Sequence, residues 1–401
     1  MLRAFGALDA RVSSPGRNPY DGTIAASDLL GVLRSRFAGD CFGVTRLEAY
    51  AKCPFRFFAE NVLELLPPAE PEEVVSPLNW GSAVHRALAR FMSGRLIRSR
   101  GKTTFKAVPR PEEDADGFAA AVEELTQILA EELSNLPHRS DDAYYLSMRE
   151  NLLGAQGYGE EGSFVEAFMR EEANREALGF APAHFEIYFG PSAAPRSADK
   201  LLHGPPLLLR GSVSGDRMRV GIMGKIDRLD MVDGSGVVIY DYKSGGSRPP
   251  GPGEVRGGTA LQPSLYLLAA VEMLRRKGLQ GAEPRAAAYL RVRDSRDNAP
   301  SFAVRSGPLP GDGPSKRTTG EDDFRESLLE SLRFSLSYAH GMVSGLFPPV
   351  PKGGDAGCRN CIYGTVCRRD EVELFGAEFP VSAEDVALDS YGVGDVGSRG
   401  N

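Results

Sequence analysis

The 401 residues are 42% hydrophobic and carry 47 basic against 54 acidic side chains, a net charge of −7. This is enough apolar material for a sizeable core, and the negative balance argues against a protein that coats nucleic acid by bulk charge, leaving only a local basic groove. No uninterrupted apolar stretch reaches the length of a bilayer span and the first residues lack the apolar run of a secretion signal, so a soluble, cytoplasmic protein is expected.

Residues 1–43 combine turn signals (SSPGRNPYDG) with a short helical stretch, SDLLGVLRSRF, and read as a lead-in to a domain over 44–372. TRLEAYAKCPFRFFAENVLEL opens that domain as a helix, with Thr45 and Glu48 as a capping box and Tyr50 at core spacing; Phe55 is likewise read as core rather than as a base-stacking ring. In SPLNWGSAVHRALARFM, Ser76 caps and Pro77 opens the next helix, which carries His85. An insertion at about 94–180 begins with SGRLIRSRGKTTFKAVPR, six basic residues and no acid, read as a solvated loop with DNA-backbone contact as the alternative. The rest of it, 112–178, is mainly helical with acidic outer faces.

From PLLLRGSVSG through RMRVGIMGKIDRLDMV to VVIYDYKSG the hydrophobic period becomes two, which predicts strands. LQPSLYLLAAVEMLRRKG is a helix with Pro263 in its first turn and Gly278 past its end, and RAAAYLRVR is a strand. PSFAVRSGPLPGDGPSKRTTGED reads as irregular and exposed, FRESLLESLRFSLSYAHGMVSG as a long helix, and 373–401 as a tail.

The chemistry concentrates in VVIYDYKSGG. Strand alternation points Val237, Ile239, Asp241 and Lys243 one way and Val238, Tyr240 and Tyr242 the other. Pairing this strand antiparallel with GIMGKIDRLDMV about a turn centred on Gly234 sets Asp227 opposite Asp241, β-carbons about 5 Å apart. Two carboxylates that close call for a proton or a cation, and hard oxygen ligands suit Mg²⁺ or Mn²⁺. Lys243 beside them completes a layout for phosphodiester hydrolysis; the competing reading of Asp241 and Lys243 is a solvated edge pair. His85 offers a nitrogen ligand, and Gln262 and Tyr266, four apart on one helix face, offer groups to orient Lys243, a phosphate or a base, with Tyr266 as plain core the alternative.

Cys358, Cys361 and Cys367 form C-x2-C-x5-C in CRNCIYGTVC and need a fourth thiolate. Cys53, in the helix that opens the domain, is the candidate, with Cys41 as the substitute; the site would staple the ends of the domain together through iron–sulfur or zinc.

A Cys-Pro-Phe helix, Gly-x3-His, Gly-x-Ile-Asp, Asp-Tyr-Lys, Gln-x3-Tyr and Cys-x2-Cys-x5-Cys, in this order, resemble the C-terminal nuclease domain of the AddB family, and are similar to RecB-type nucleases of the PD-(D/E)XK superfamily, from about Phe42 to Arg369. The resemblance implies a restriction-endonuclease-like α/β core, a mixed central sheet flanked by helices, with a large helical insertion. It implies His85, Asp227 and Asp241 as metal ligands joined by the Tyr242 carbonyl, Lys243 as the catalytic lysine, and Gln262 and Tyr266 as its catalytic Gln/Tyr motif. It further implies Cys53, Cys358, Cys361 and Cys367 around a [4Fe–4S] cluster that is structural and aids binding of DNA ends, with Arg368 and Arg369 beside it as DNA contacts. The function that follows is a Mg²⁺- or Mn²⁺-dependent deoxyribonuclease acting on DNA ends or single strands in double-strand-break repair, with a helicase subunit of AddA type as partner. AddB-type proteins carry a helicase-like region before this domain, whereas here Met1 stands shortly before it and no phosphate loop of the Gly-x4-Gly-Lys-Ser/Thr type is encoded. The alternatives are a CRISPR-associated adaptation nuclease, of which the long span between His85 and Asp227 is atypical, and a catalytically silent iron–sulfur DNA-binding or scaffold subunit.

Overall fold

The structure, a computed structural model, describes residues 20–37, 41–66, 77–99, 102–137, 143–157, 159, 162–191, 202–245, 248–292, 299–312, 320–352, 357–367 and 383–388. Helix α1 (Ser27–Phe37) and the short strand β1 (Cys41–Gly43) lead into helix α2 (Val44–Lys52). Thr45 and Glu48 do not form the expected capping box: α2 starts at Val44 behind Gly43, which gives no side-chain cap, and Glu48 is engaged elsewhere. Helix α3 (Pro54–Phe57) continues as a π-helical turn, Phe58–Val62. Helix α4 (Pro77–Gly94) begins at its proline; Ser76 lies outside the described residues.

The basic stretch that follows is a β-hairpin, β2 (Leu96–Ser99) on β3 (Lys102–Phe105), rather than a loop. Arg95 at its base is buried, donating to Glu124 and to the carbonyls of Lys106 and Ala107, so this cation serves the fold and not a ligand. Helices α5 (Ala115–Ser134), α6 (Ala143–Leu153) and α7 (Phe164–Ala177) follow, with Asp114 and Ser163 accepting from the first turns of α5 and α7. Then come strands β4 (Ala181–Phe189), β5 (Leu207–Val213), β6 (Asp216–Val232) and β7 (Gly236–Lys243). The remaining elements are helices α8 (Pro252–Arg256) and α9 (Gln262–Arg276), strands β8 (Glu283–Arg291) and β9 (Ser301–Arg305), helices α10 (Glu321–Val343) and α11 (Gly364–Cys367), and strand β10 (Glu384–Leu388). SFAVR, expected to be irregular, is a strand because it pairs antiparallel with β8 and buries Val304.

Among the described residues, eight strands form one sheet, mixed but mainly antiparallel. Its spine is the 17-residue β6, whose first half is flanked by β5 and, in parallel, by β1, and whose second half is flanked by β4 and β7. The β6–β7 turn places Asp233 and Gly234 at φ of 50° and 77°, the left-handed conformation that an Asp-Gly turn supplies. The register follows the sequence expectation, with Arg228 opposite Tyr240 and Leu229 opposite Ile239. β8 lies parallel to β7 on its other side, so β7 is an interior strand and the solvated-edge reading of Asp241 and Lys243 fails.

An interior strand must bury both faces, and the sheet separates two cores. Val237 and Ile239 pack with α2, α9 and α10, whereas Val238, Tyr240 and Tyr242 pack with α4 to α7. Tyr50 is fully buried in the first core and donates to the Leu346 carbonyl, as its helical spacing predicts. The candidate site lies where β7 runs out of apolar residues, at the seam between these cores.

Candidate metal centre

Asp241 and Lys243 share a face of β7, and Lys243 Nζ lies 2.5 Å from Asp241 Oδ2. This is a close ion pair on a buried carboxylate oxygen. Asp227, only 5% exposed, continues the register that opposes it to Asp241, and its Oδ2 accepts from the Tyr242 N–H at 2.8 Å. A carboxylate thus replaces a carbonyl in the ladder and is locked to β7.

From α4, His85 reaches this point with both ring nitrogens: Nδ1 is 3.3 Å from Asp227 Oδ1 and Nε2 is 3.1 Å from the Tyr242 carbonyl. The carbonyl expected to face a metal therefore faces the imidazole. Glu186, which the sequence reading did not single out, is the third group: ligand atoms of His85, Glu186 and Asp227 lie within 4.8 Å of one another. Glu186 sits in β4 at φ 53°, a left-handed conformation unusual for a non-glycine strand residue. Such local strain, held by flanking pairs Phe185–Arg228 and Ile187–Ile226, is characteristic of functional positions. Lys225 Nζ donates to its Oε2 at 2.7 Å. The signal was present in HFEIYF, where Phe185, Ile187 and Phe189 alternate with polar residues.

The electrostatics favour a cation here. Burial, then the Asp227 charge, push the Asp241 carboxyl up to about 6. Burial also works against an ionised Asp227, but His85 and the Tyr242 N–H outweigh it and hold the group below the usual range. For His85, burial disfavours the imidazolium, yet Asp227 and Asp241 more than offset it and raise the pKa. An imidazole with clustered carboxylates is a donor set that fits Mg²⁺ or Mn²⁺, so the residues present suit the implied metal.

On the far side of Lys243, Nζ donates to Gln262 Oε1 at 3.2 Å, and Gln262 Nε2 donates to the Tyr266 hydroxyl at 3.4 Å. The Gln262–Tyr266 pair at the start of α9 therefore meets the lysine. Tyr266 is also core, as the alternative held, and Gly224 in β6 makes room for it: a Cβ there would come within 2.5 Å of its ring.

The family model described as the PD-(D/E)XK nuclease superfamily matches residues 42–368, spanning every element from α2 to α11. The chain belongs to that superfamily. Three relatives are each named as the B-type component of an ATP-dependent helicase/deoxyribonuclease. That of Staphylococcus aureus (strain MRSA252) is 27% identical over 270 residues, 65% of this chain and 20% of the relative. That of Symbiobacterium thermophilum is 32% identical over 236 residues, 57% of this chain and 17% of the relative. That of Carboxydothermus hydrogenoformans is 27% identical over 239 residues, 57% and 18%. The matched region spans about a fifth of the length of these relatives. A PD-(D/E)XK core thus accounts for the mixed α/β sheet flanked by helices.

Burial pushes the Cys53 thiol up, and the nearby Cys367 and Cys361 add to the rise against backbone N–H groups of Arg56 and Phe55 that lower it. Cys53 is thus within electrostatic reach of Cys361 and Cys367, while Cys41 is in β1 beside Gly221. The segments are tied by hydrogen bonds: Lys352 N–H donates to the Lys52 carbonyl at 3.2 Å, and the Tyr363 hydroxyl donates to the Leu65 carbonyl. Arg368 and Arg369 lie outside the described residues. No helix among the described residues is long and apolar enough to cross a membrane.

Proposed function

We propose that this protein is a Mg²⁺- or Mn²⁺-dependent deoxyribonuclease that hydrolyses phosphodiesters at DNA ends or in single strands during double-strand-break repair. The observation that carries the reading is the convergence of His85, Glu186 and Asp227 with the Asp241–Lys243 pair at the end of one hairpin.

His85, Glu186, Asp227 and Asp241 would hold the cation, which supplies neutralisation of phosphate charge and a lowered pKa for bound water. Lys243, gripped between Asp241 and Gln262, keeps its ammonium aimed at the space in front of the carboxylates, where it orients the attacking water and meets charge developing on the phosphate. Gln262 and Tyr266 hold that ammonium from behind.

Cys53, Cys358, Cys361 and Cys367 are proposed to hold a [4Fe–4S] cluster; the nearness of Cys53 to Cys361 and Cys367 supports this set over one containing Cys41. The names of the relatives support a role beside a helicase acting on DNA; that the partner is of AddA type and that both work in the cytoplasm are part of the proposal.

The test is cleavage of end-labelled linear single- and double-stranded DNA by anaerobically purified protein, with Mg²⁺ or with EDTA, beside Asp241→Ala. Cleavage that needs the metal and is lost in the variant is expected. A folded protein that binds DNA ends but cleaves nothing, alone or with a helicase partner, would turn the reading to a DNA-binding role without catalysis.

A further inference from the structure

Helix α9 starts without a cap of its own: Leu261 stands at the N-cap position with no side-chain acceptor, and Pro263 in the first turn has no N–H. The missing acceptor comes from the other end of the domain. Glu48, in the middle of α2, receives the N–H groups of both Leu261 (2.7 Å) and Gln262 (2.9 Å) on its Oε1. A carboxylate there satisfies two orphan donors and stands at the positive end of the α9 dipole.

The residue so fixed is Gln262, whose side chain faces Lys243 at 3.2 Å. Lys243 is otherwise held by Asp241 and lies over the Tyr289 ring, Nζ 5.0 Å from its centroid. The backbone of Gln262 is thus pinned by Glu48, and its side chain sets where the lysine sits. Glu48 is itself carried by a helix that ends at Cys53, with Lys52 bonded to Lys352 near the C-terminal cysteines. A short rigid helix therefore connects the cysteine segments to the groups in front of the acids.

We infer that Glu48 is a positioning residue for Lys243, acting through the N-terminus of α9 and the Gln262 side chain, and so makes the placement of the lysine depend on the seating of α2. The inference rests on the nuclease reading, but its geometry does not. It predicts a division of effects: loss of Glu48 lets Lys243 drift without disturbing His85, Glu186 or Asp227, which stand on α4, β4 and β6.

The experiment compares wild type, Glu48→Ala and Glu48→Gln, the last keeping an acceptor oxygen at the same place. Amine acetylation of metal-free protein, read at Lys243 by peptide mass spectrometry, reports the lysine without any need for activity. Mn²⁺ affinity by titration calorimetry, kcat and KM on DNA, and thermal midpoint complete the set. Glu48→Ala is expected to label Lys243 several-fold faster and to lose kcat by about tenfold or more, the scale of a small misplacement of a reacting group. Its Mn²⁺ affinity and KM stay near wild type, and Glu48→Gln recovers most of both losses. Labelling at the wild-type rate in Glu48→Ala overturns the inference, as does a loss of Mn²⁺ affinity in step with kcat or a failure of Glu48→Gln to recover. If Glu48→Ala does not fold, Glu48→Gln decides: labelling of Lys243 near the wild-type rate supports the inference and rapid labelling overturns it. Should wild type cleave no DNA while labelling follows the expected pattern, the positioning role stands and the nuclease reading falls.

Discussion

Glu186 reaches the candidate metal centre from a left-handed backbone position in β4, with Lys225 Nζ donating to its Oε2 at 2.7 Å. The acids Asp227 and Asp241 were legible because a hairpin with an Asp-Gly turn fixes register, and register decides which side chains meet. Glu186 comes to them from β4, a strand with no local turn linking it to β6, so the alternation in HFEIYF marks a strand face but only the tertiary pairing sets Glu186 beside the acids. Glu186→Gln keeps shape and removes a hard anionic ligand, and should weaken Mn²⁺ binding by about tenfold or more, with the fold retained. Titration calorimetry decides it: unchanged affinity would remove Glu186 from the ligand set. A second acid, the half-buried Glu176 on α7, makes a prediction about stability. Burial, then the neighbouring Glu172, push its carboxyl up to about 8; Oε2 accepts from the Val108 N–H at 3.2 Å, while Oε1 is buried without a hydrogen-bond partner. Between its ordinary 4.5 and about 8 the folded protein keeps a proton that the unfolded chain has released, so this group's contribution falls as pH rises through that window. Glu176→Gln cannot ionise and should gain stability relative to wild type on going from the acid to the alkaline side of the window. Parallel urea denaturation profiles at the two ends would sink the idea.

At the scale of elements, the helices of the insertion are attached to the sheet by charge as well as by packing. Arg228, next to Asp227 in β6, is 0% exposed; it forks onto Asp230 at 2.7 and 2.8 Å and reaches Glu172 of α7 at 2.7 Å. Arg175 of α7 joins Glu172 at 3.2 Å, and both guanidinium groups lie over the Tyr240 ring. The helices themselves were readable from their period. The network was not, because Arg228 and Asp230 in GKIDRLD look like the solvated face of an ordinary strand; only the docking of α7 makes that face interior. For the same reason Glu48 reads as the end of a local capping box, when its partners lie 213 and 214 residues away. Arg228→Met should cost about 3–5 kcal/mol, since it leaves Glu172 and Asp230 buried with less compensation, whereas loss of an exposed pair such as Arg90–Glu131 should cost well under about 1 kcal/mol. Urea denaturation of the two variants, Arg228→Met and Arg90→Met, makes the comparison; equal costs would mean that the buried network is idle.

Taken as a whole, the molecule is one sheet between two cores, with the start and end of the domain meeting on one side. Thr23 bridges to Leu346, Tyr50 donates to the Leu346 carbonyl, Lys352 bonds to Lys52, and Tyr363 bonds to Leu65. These links were foreshadowed only by the cysteines, since no local pattern says which distant segments will touch. They also bear on which thiol belongs to the proposed cluster. Cys53 follows α2 directly and stands at the meeting point, whereas Cys41 is in β1; burial pushes both thiols up, that of Cys41 to about 11. A site whose ligands come together only in the folded chain adds its binding free energy to folding. Cys53→Ser should therefore lose iron and lower the thermal midpoint of anaerobically purified protein by many degrees, while Cys41→Ser should keep its iron and melt close to wild type. Iron and acid-labile sulfide analysis alongside calorimetry provides the check, and zinc in place of iron in the wild type would keep the four ligands but change the metal. Retention of iron by Cys53→Ser together with its loss from Cys41→Ser would reverse the ligand assignment, with Cys41 of β1 then joining the C-terminal trio in place of Cys53.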